Sequence, residues 1–521
     1  MKKILCFFIC IAVCMIAGCE KNTGENSEMI IPEGYSLVKT GEENRDAFEG
    51  ASVEFDPHFF SQNVTKGNVK AEDWQIVESR VKKMKIDRFR VMLLPSWLEP
   101  FNDNEDSDNI NWDNMTTESA EMKSLYKVLD LAQANNINVN ITLWGAQKQV
   151  SLVDLDMNTA VNAQGKYFLS QGNEGSNWVI GTLKVDEFAE NFAAYVKLLI
   201  VDKKYTCIKE ITPINEPDWS YQINNSALGN FEEYAKLCKA IDAKFKKYNL
   251  RNLVKFNLSD NTDTRVSWLE STALNLDDIA DMYNSHTYIF GYDSPNSAIK
   301  NWEIANENVV RSTGKPHIIG EFGSNQSTGS TRQSDIDSYE RGVLMVRQFL
   351  NFLNAGAAGA SYWVLFDEYY GYKESYAQMM QLGLWRSAKE EYSADINYYN
   401  KIKCDYEVRP QYYAYGLISK FTDIGDKIYP LVIDGEEFTV GTAFKKANGK
   451  WVYILANGSG KSKKLSLNNG TIYGDFNSYV YKKESLPEND DMITAGGILS
   501  FKNQVLNVEL DSQTVSVLEQ R

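Results

Sequence analysis

Two glutamates stand out by the residues around them. Glu216 lies in Ile214-Asn215-Glu216-Pro217 and Glu321 in Gly320-Glu321-Phe322-Gly323, each at the end of a short apolar run, Ile208–Ile214 and His317–Gly320. A facing pair of carboxyls suits cleavage of a glycosidic bond. One gives a proton to the leaving oxygen while the other meets the oxocarbenium-like carbon. Other chemistries find less support. The three His (58, 286 and 317) are scattered, and there is no H-E-x-x-H or paired-Cys pattern, so no metal or other cofactor is expected. Asn102–Asp108 (NDNEDSD) lacks the Gly and closing Glu of an EF-hand loop and reads as a solvated loop. No G-x-S-x-G elbow is present, which argues against a serine esterase. Gly458-Ser459-Gly460-Lys461-Ser462 has Leu455 where a phosphate loop needs its first Gly; it reads as a hairpin turn.

Glu216 and Glu321 are far apart in the chain, so some fold must bring them together. Short apolar runs recur at Ala51–Phe55, Asp87–Leu93, Ile137–Leu143, Ile208–Ile214, Leu253–Ser259, Ile279–Ser285, His317–Gly320 and Gly359–Leu365. Amphipathic stretches lie between them, among them Ala71–Met84, Glu121–Ala134, Glu187–Ile200, Phe231–Tyr248 and Ser338–Asn354. Eight strands each followed by a helix predict an α/β fold, a (β/α)8 TIM barrel. Such a barrel gathers the C-terminal ends of its strands around one mouth, where the fourth and seventh would present Glu216 and Glu321. Long loops are expected, Leu143–Asp186 above all, with Trp144 and Trp178 in it.

From Asp426 the pattern changes to period two, which predicts a C-terminal antiparallel β-sandwich over residues 426–521. The catalytic barrel is assigned to residues 46–425. Residues 19–45 read as a tether with an N-terminal strand, and residues 30–45 are expected to pair with the sandwich.

The chain has 521 residues and a net charge of −16, with 43% hydrophobic and 12% aromatic residues. That is an ordered protein with room for a large core and a second domain. Its acidity, without basic clusters, argues against a nucleic-acid binder. Lys2, Lys3 and the apolar run Ile4–Ala17 form a secretory signal over residues 1–18, shorter than the roughly 20 residues of a membrane-spanning helix. Ile16-Ala17-Gly18-Cys19 resembles a bacterial lipobox, with Ile where Leu is commoner, and implies a lipid on Cys19. The chain is then exported and lipid-anchored to a bacterial membrane, at the outer membrane or cell surface. Cys207, Cys238 and Cys404 are too few and too far apart for a disulfide framework, and are expected as buried thiols.

With these elements in place, the stretch from about 50 to 425 resembles glycoside hydrolase clan A, the retaining (β/α)8 superfamily that includes family 5. Asn215-Glu216-Pro217 and Gly320-Glu321-Phe322-Gly323 resemble its fourth- and seventh-strand motifs. Arg90 resembles the second-strand Arg, His286-Thr287-Tyr288 the sixth-strand His-x-Tyr, and Trp363 the eighth-strand Trp. Arg409–Tyr415 resembles the segment leading into a C-terminal β-domain. Two features depart from family 5: Trp144-Gly145 stands where a His is usual, and Asp56-Pro57-His58 is not a family 5 feature. The clan is assigned and the family left open.

The resemblance implies that Glu321 is the nucleophile, with Arg90 lowering its pKa and Tyr288 bonding its oxygens. Glu216 would be the acid and then the base, protonated at first because it shares a confined site with another carboxylate. Asn215 would bond the sugar 2-hydroxyl and Trp363 would floor the site. His286, His58 and Trp144 are further candidate substrate contacts, with Trp178 and Trp219 as stacking platforms. The expected activity is retaining cleavage of a β-linked polysaccharide, endo-acting on a β-glucan. Alternatives are an exo-acting β-galactosidase, β-mannosidase or β-xylosidase, or a non-catalytic glycan-binding surface lipoprotein. Expected partners are a β-linked poly- or oligosaccharide and, through the anchor, a membrane.

Overall fold

The computed structural model describes residues 29–60, 71–99, 106–144, 153–154, 182–183, 185–220, 231–262, 265–326, 333–370, 378–387, 406–468, 470 and 473–521. Eight parallel strands close into a barrel: β1 (Gly50–Glu54), β2 (Arg88–Leu93), β3 (Asn138–Leu143), β4 (Ile208–Thr212), β5 (Lys255–Asn261), β6 (Met282–Thr287), β7 (His317–Phe322) and β8 (Gly359–Tyr362). All eight expected strands are present. β5 and β6 run two or three residues further along than their apolar runs suggest, because their C-terminal halves (Ser259-Asp260-Asn261 and Ser285-His286-Thr287) are polar but fully buried.

Every strand is buried on both faces, as a barrel wrapped in helices requires. In β2 the outward residues Phe89 and Val91 join the hydrophobic core, while Arg88 and Arg90 point into the lumen. The lumen is polar: Arg88 pairs across it with Glu210, Asn257 bonds Glu210 at 3.2 Å, and Asn284 donates to Asn257 at 2.8 Å.

Two bulges re-aim the C-terminal rim. Between β5 and β6, Ser259 faces Asn284 and Asn261 faces Ser285, so Asp260 is an extra residue. Between β6 and β7, Ile319 faces Ser285 and Glu321 faces His286, leaving Gly320 extra. A Cβ at position 320 would collide with the Asn284 side-chain oxygen, so the close approach of these strands requires glycine there.

The expected antiparallel C-terminal β-structure is present as one nine-stranded sheet, nearly closed on itself and antiparallel except at one pair. Ser36–Thr40 runs antiparallel to Lys427–Ile433 and parallel to Lys463–Asn468, so the N-terminal strand does join the C-terminal sheet. Period-two alternation fixes which residues share a face, but not whether the strands form one sheet or two. In Trp451–Asn457, Trp451, Tyr453 and Leu455 enter the sheet's own core, while Val452, Ile454 and Ala456 join the barrel's. The helices Tyr339–Ala355 and Pro410–Ser419 lie between sheet and barrel, which explains why both are buried nearly all round. Among the described residues, no helix is long and apolar enough to cross a membrane, and Cys207 and Cys238 are buried free thiols. Cys404 and residues 1–28 lie outside the described residues.

Candidate active site

The barrel brings the predicted pair together. One carboxylate oxygen of Glu216, just beyond β4, lies within 4.8 Å of one on Glu321, in β7. Glu216 is held at φ +43°, a strained conformation for a residue with a side chain. Its neighbour Asn215 is anchored by a backbone bond to Leu143 at 2.8 Å.

Arg90, only 2% exposed, organises the floor. One terminal nitrogen donates to Glu321 Oε1 at 2.7 Å and Glu54 Oε2 at 3.0 Å. The other donates to Asn215 Oδ1 and Asp260 Oδ2, both at 2.8 Å. Tyr288 donates to Glu321 Oε2 at 2.6 Å, so both nucleophile-candidate oxygens have donors. Gly323 lets the Tyr288 ring approach, since a Cβ there would stand 3.0 Å from it.

His286 lies on the other flank. Its Nδ1 is 3.0 Å from Glu216 Oε1 and 3.6 Å from Glu321 Oε2, and its Nε2 is 3.1 Å from Asp260 Oδ1. The ring is wholly buried and bounded by carboxylates on both nitrogens.

Arg90 does pull Glu321 down as expected, but a larger influence opposes it. Burial is the largest influence on Glu321 and pushes its carboxyl up; the charge of Glu216 adds to this. Together they outweigh the pull of His286, Arg90 and Tyr288, so Glu321 sits above the usual carboxylate range rather than below it. Burial alone would drive His286 down, but Glu321 and Asp260 hold it well above its ordinary value. Asp260 is lowered despite its burial, because Arg90 and His286 both face it.

The remaining predicted residues fall as follows. Trp363, half-buried beyond β8, is tied by its backbone N–H to Phe322 at 3.1 Å, beside Glu321. Trp144 follows β3, bonds Leu93 through its backbone at 2.8 Å and packs half-buried on the core. The side chains of His58 and Trp219, and Trp178 and Cys19 entirely, lie outside the described residues. His317 starts β7, at the far end of the barrel, paired with Glu303 at 2.8 Å and Glu307 at 3.2 Å.

Three groups were not anticipated. Asp260 was visible only as an acid at the end of the fifth apolar run. Glu54, inside β1, shares a nitrogen of Arg90 with Glu321. Glu368 accepts from the backbone of Asp56 at 3.0 Å, and Glu54, Asp56 and Glu368 are all fully buried. An acidic residue within an otherwise apolar strand was the available signal. Among the described residues, two clusters have metal-ligand spacing, Glu216/His286/Glu321 and Glu303/Glu307/His317. In both, the surrounding carboxylates hold the imidazole above its ordinary value.

No family model and no curated protein matches the sequence. Solved structures do resemble the chain. A family GH30 endoxylanase from Clostridium papyrosolvens is 13% identical, covering 93% of this chain and 100% of that one, with a TM-score of 0.61. The endo-β1,6-glucanase BT3312 is 14% identical over 94% and 96%, with a TM-score of 0.59. A conserved exported protein from Bacteroides fragilis is 11% identical over 93% and 100%, with a TM-score of 0.65. At this identity, what the chain shares with these proteins is the fold, from the barrel through to the C-terminal sheet.

Proposed function

We propose that the chain is a retaining glycoside hydrolase acting on a β-linked polysaccharide. The observation that carries this is the approach of Glu216 and Glu321 across the barrel mouth to within 4.8 Å between oxygens. Carboxyls about 5–5.5 Å apart suit double displacement, whereas inversion needs room for a water between them. Glu321 attacks the anomeric carbon as the glycosidic C–O bond breaks, and Glu216 delivers its proton to the leaving oxygen. Glu216 then takes a proton from water, whose oxygen displaces the ester, restoring Glu321 as a carboxylate. Tyr288 and Arg90 hold Glu321 in line, and Trp363, tied through its backbone to Phe322, is the candidate floor for the sugar.

Endo-action on a β-glucan or a related β-linked backbone is the finer reading. The length of the Leu143–Asp186 segment and its aromatic residues support it, and two of the similar structures are named as endo-acting enzymes. Export and lipid anchoring through Cys19 belong to the same reading, supported by residues 1–19. The test is product analysis on β-1,3-, β-1,4-, β-1,6- and mixed-linkage glucans, xylan, mannan and galactan, with Glu321→Ala as control. Oligosaccharides released by the native chain alone support an endo-glycanase. Monosaccharide alone points to exo-action, and binding without turnover to a glycan-binding lipoprotein.

A further inference from the structure

Asp260 is placed with unusual care for a residue outside the catalytic pair. It is the extra residue of the β5–β6 bulge, at φ +51° directly after Ser259 at φ +86°. Two successive left-handed residues at the end of a buried strand are costly, and such strain persists only where the surroundings impose it. The backbone N–H of Ser259 donates to the Tyr234 hydroxyl at 2.9 Å, which pins the bulge from behind. The carboxylate is fully buried and divides its oxygens. Oδ2 accepts from Arg90 at 2.8 Å and Oδ1 faces His286 Nε2 at 3.1 Å. Arg90 in turn holds Glu321, and His286 faces Glu216.

We propose that Asp260 is a positioning residue that couples the two halves of the site, fixing Arg90 toward Glu321 with one oxygen and His286 toward Glu216 with the other. An ion with both oxygens committed sets two geometries at once. It aims the Arg90 fork, and its charge favours the doubly protonated His286 ring, with Nε2–H on Asp260 and Nδ1–H on Glu216. The groups facing His286 are Glu216 from β4, Asp260 from β5 and Glu321 from β7, with Asp218 acting from further off. Asp260 is the one among them bonded to Nε2. This assignment rests on the glycosidase reading only for which carboxyl is nucleophile and which is acid.

The test needs no substrate for its first part. The chain has three His, so side-chain 15N spectra of histidine-labelled protein resolve them, with His58→Gln and His317→Gln variants identifying two. The expected result is that His286 carries protons on both nitrogens from pH 5 to 8, and that Asp260→Asn releases one of them within that range. A neutral His286 in the native chain, or a doubly protonated one throughout in Asp260→Asn, overturns the proposal. The second part uses whichever polysaccharide the native chain cleaves. Asp260→Asn should shift the pH–rate profile by at least one unit. Asp260→Glu, which keeps the charge but displaces it, should lose about 100-fold in kcat with His286 still charged. Near-native kcat in Asp260→Glu overturns the positioning role, and that variant also decides the matter if Asp260→Asn fails to fold. Absence of turnover in the native chain, with the His286 behaviour as expected, removes the glycosidase reading and leaves the coupling in place.

Discussion

Arg90 and Glu321 meet at 2.7 Å, both buried, and the same guanidinium also feeds Glu54, Asn215 and Asp260. A planar fork with five donors serves four acceptors; an ammonium cannot. Arg90→Lys keeps the charge but loses the geometry, and kcat/KM should fall by about 10³, or about 4 kcal/mol. Steady-state kinetics on a variant with a native circular-dichroism spectrum checks this. A loss under tenfold would mean that charge alone suffices.

Tyr288→Phe removes the 2.6 Å donor to Glu321 while keeping the ring against Gly323. A hydrogen bond to a charged group contributes about 1.5–3 kcal/mol, so kcat should fall roughly 10- to 100-fold. The hydroxyl favours the ionised carboxylate, so its loss raises Glu321 further and moves the acidic limb of the pH–rate profile upward. An unmoved limb would dissociate Tyr288 from Glu321.

The architecture was largely legible in the sequence, and the site only in part. The eight apolar runs are readable because barrel strands keep apolar residues against the surrounding helices even where the lumen face is polar. Glu216 and Glu321 are readable because motif residues flank them. Asp260 was not, because a bulge decides where it points and no spacing in the sequence encodes a bulge. The net direction of Glu321's shift was hidden for a related reason. Arg90 is visible as a neighbour, but the depth of burial that outweighs it depends on the closed barrel. The single nine-stranded sheet was hidden because alternation is the same for one sheet or two.

Asp87, just before β2, is half-buried, but both its carboxylate oxygens are shielded from water and neither has a hydrogen-bond partner among the described residues. Burial, helped by Asp423, pushes it up to about 8. An acid raised on folding is neutral in both states at low pH. It then costs stability as pH rises from its unfolded value near 4, and the cost levels off above about 8. Asp87→Asn should therefore melt near the native temperature at pH 4–5 and increasingly above it toward pH 8, the gain bounded by roughly 5 kcal/mol. Parallel melting curves across that range would contradict the burial account.

His317 makes the opposite prediction at the other end of the barrel. Burial would lower it, but Glu303 and Glu307 raise it to about 10. A raised His contributes stability in full below its unfolded value near 6.5 and loses it as pH climbs toward 10. His317→Gln should cost about 3 kcal/mol at pH 6, less at pH 9, and leave kcat unchanged. A change in kcat with no change in melting temperature would place His317 in the chemistry instead.

The central claim is that Glu321 forms a covalent bond to the sugar. A 2-deoxy-2-fluoro β-glycoside with a good leaving group, matched to the sugar that the native chain releases, slows the second displacement and traps that species. Intact mass followed by peptide mapping should show one glycosyl unit on the peptide containing Glu321, absent in Glu321→Ala. A label on Glu216, or a first-formed product of inverted configuration with no label at all, would contradict the account.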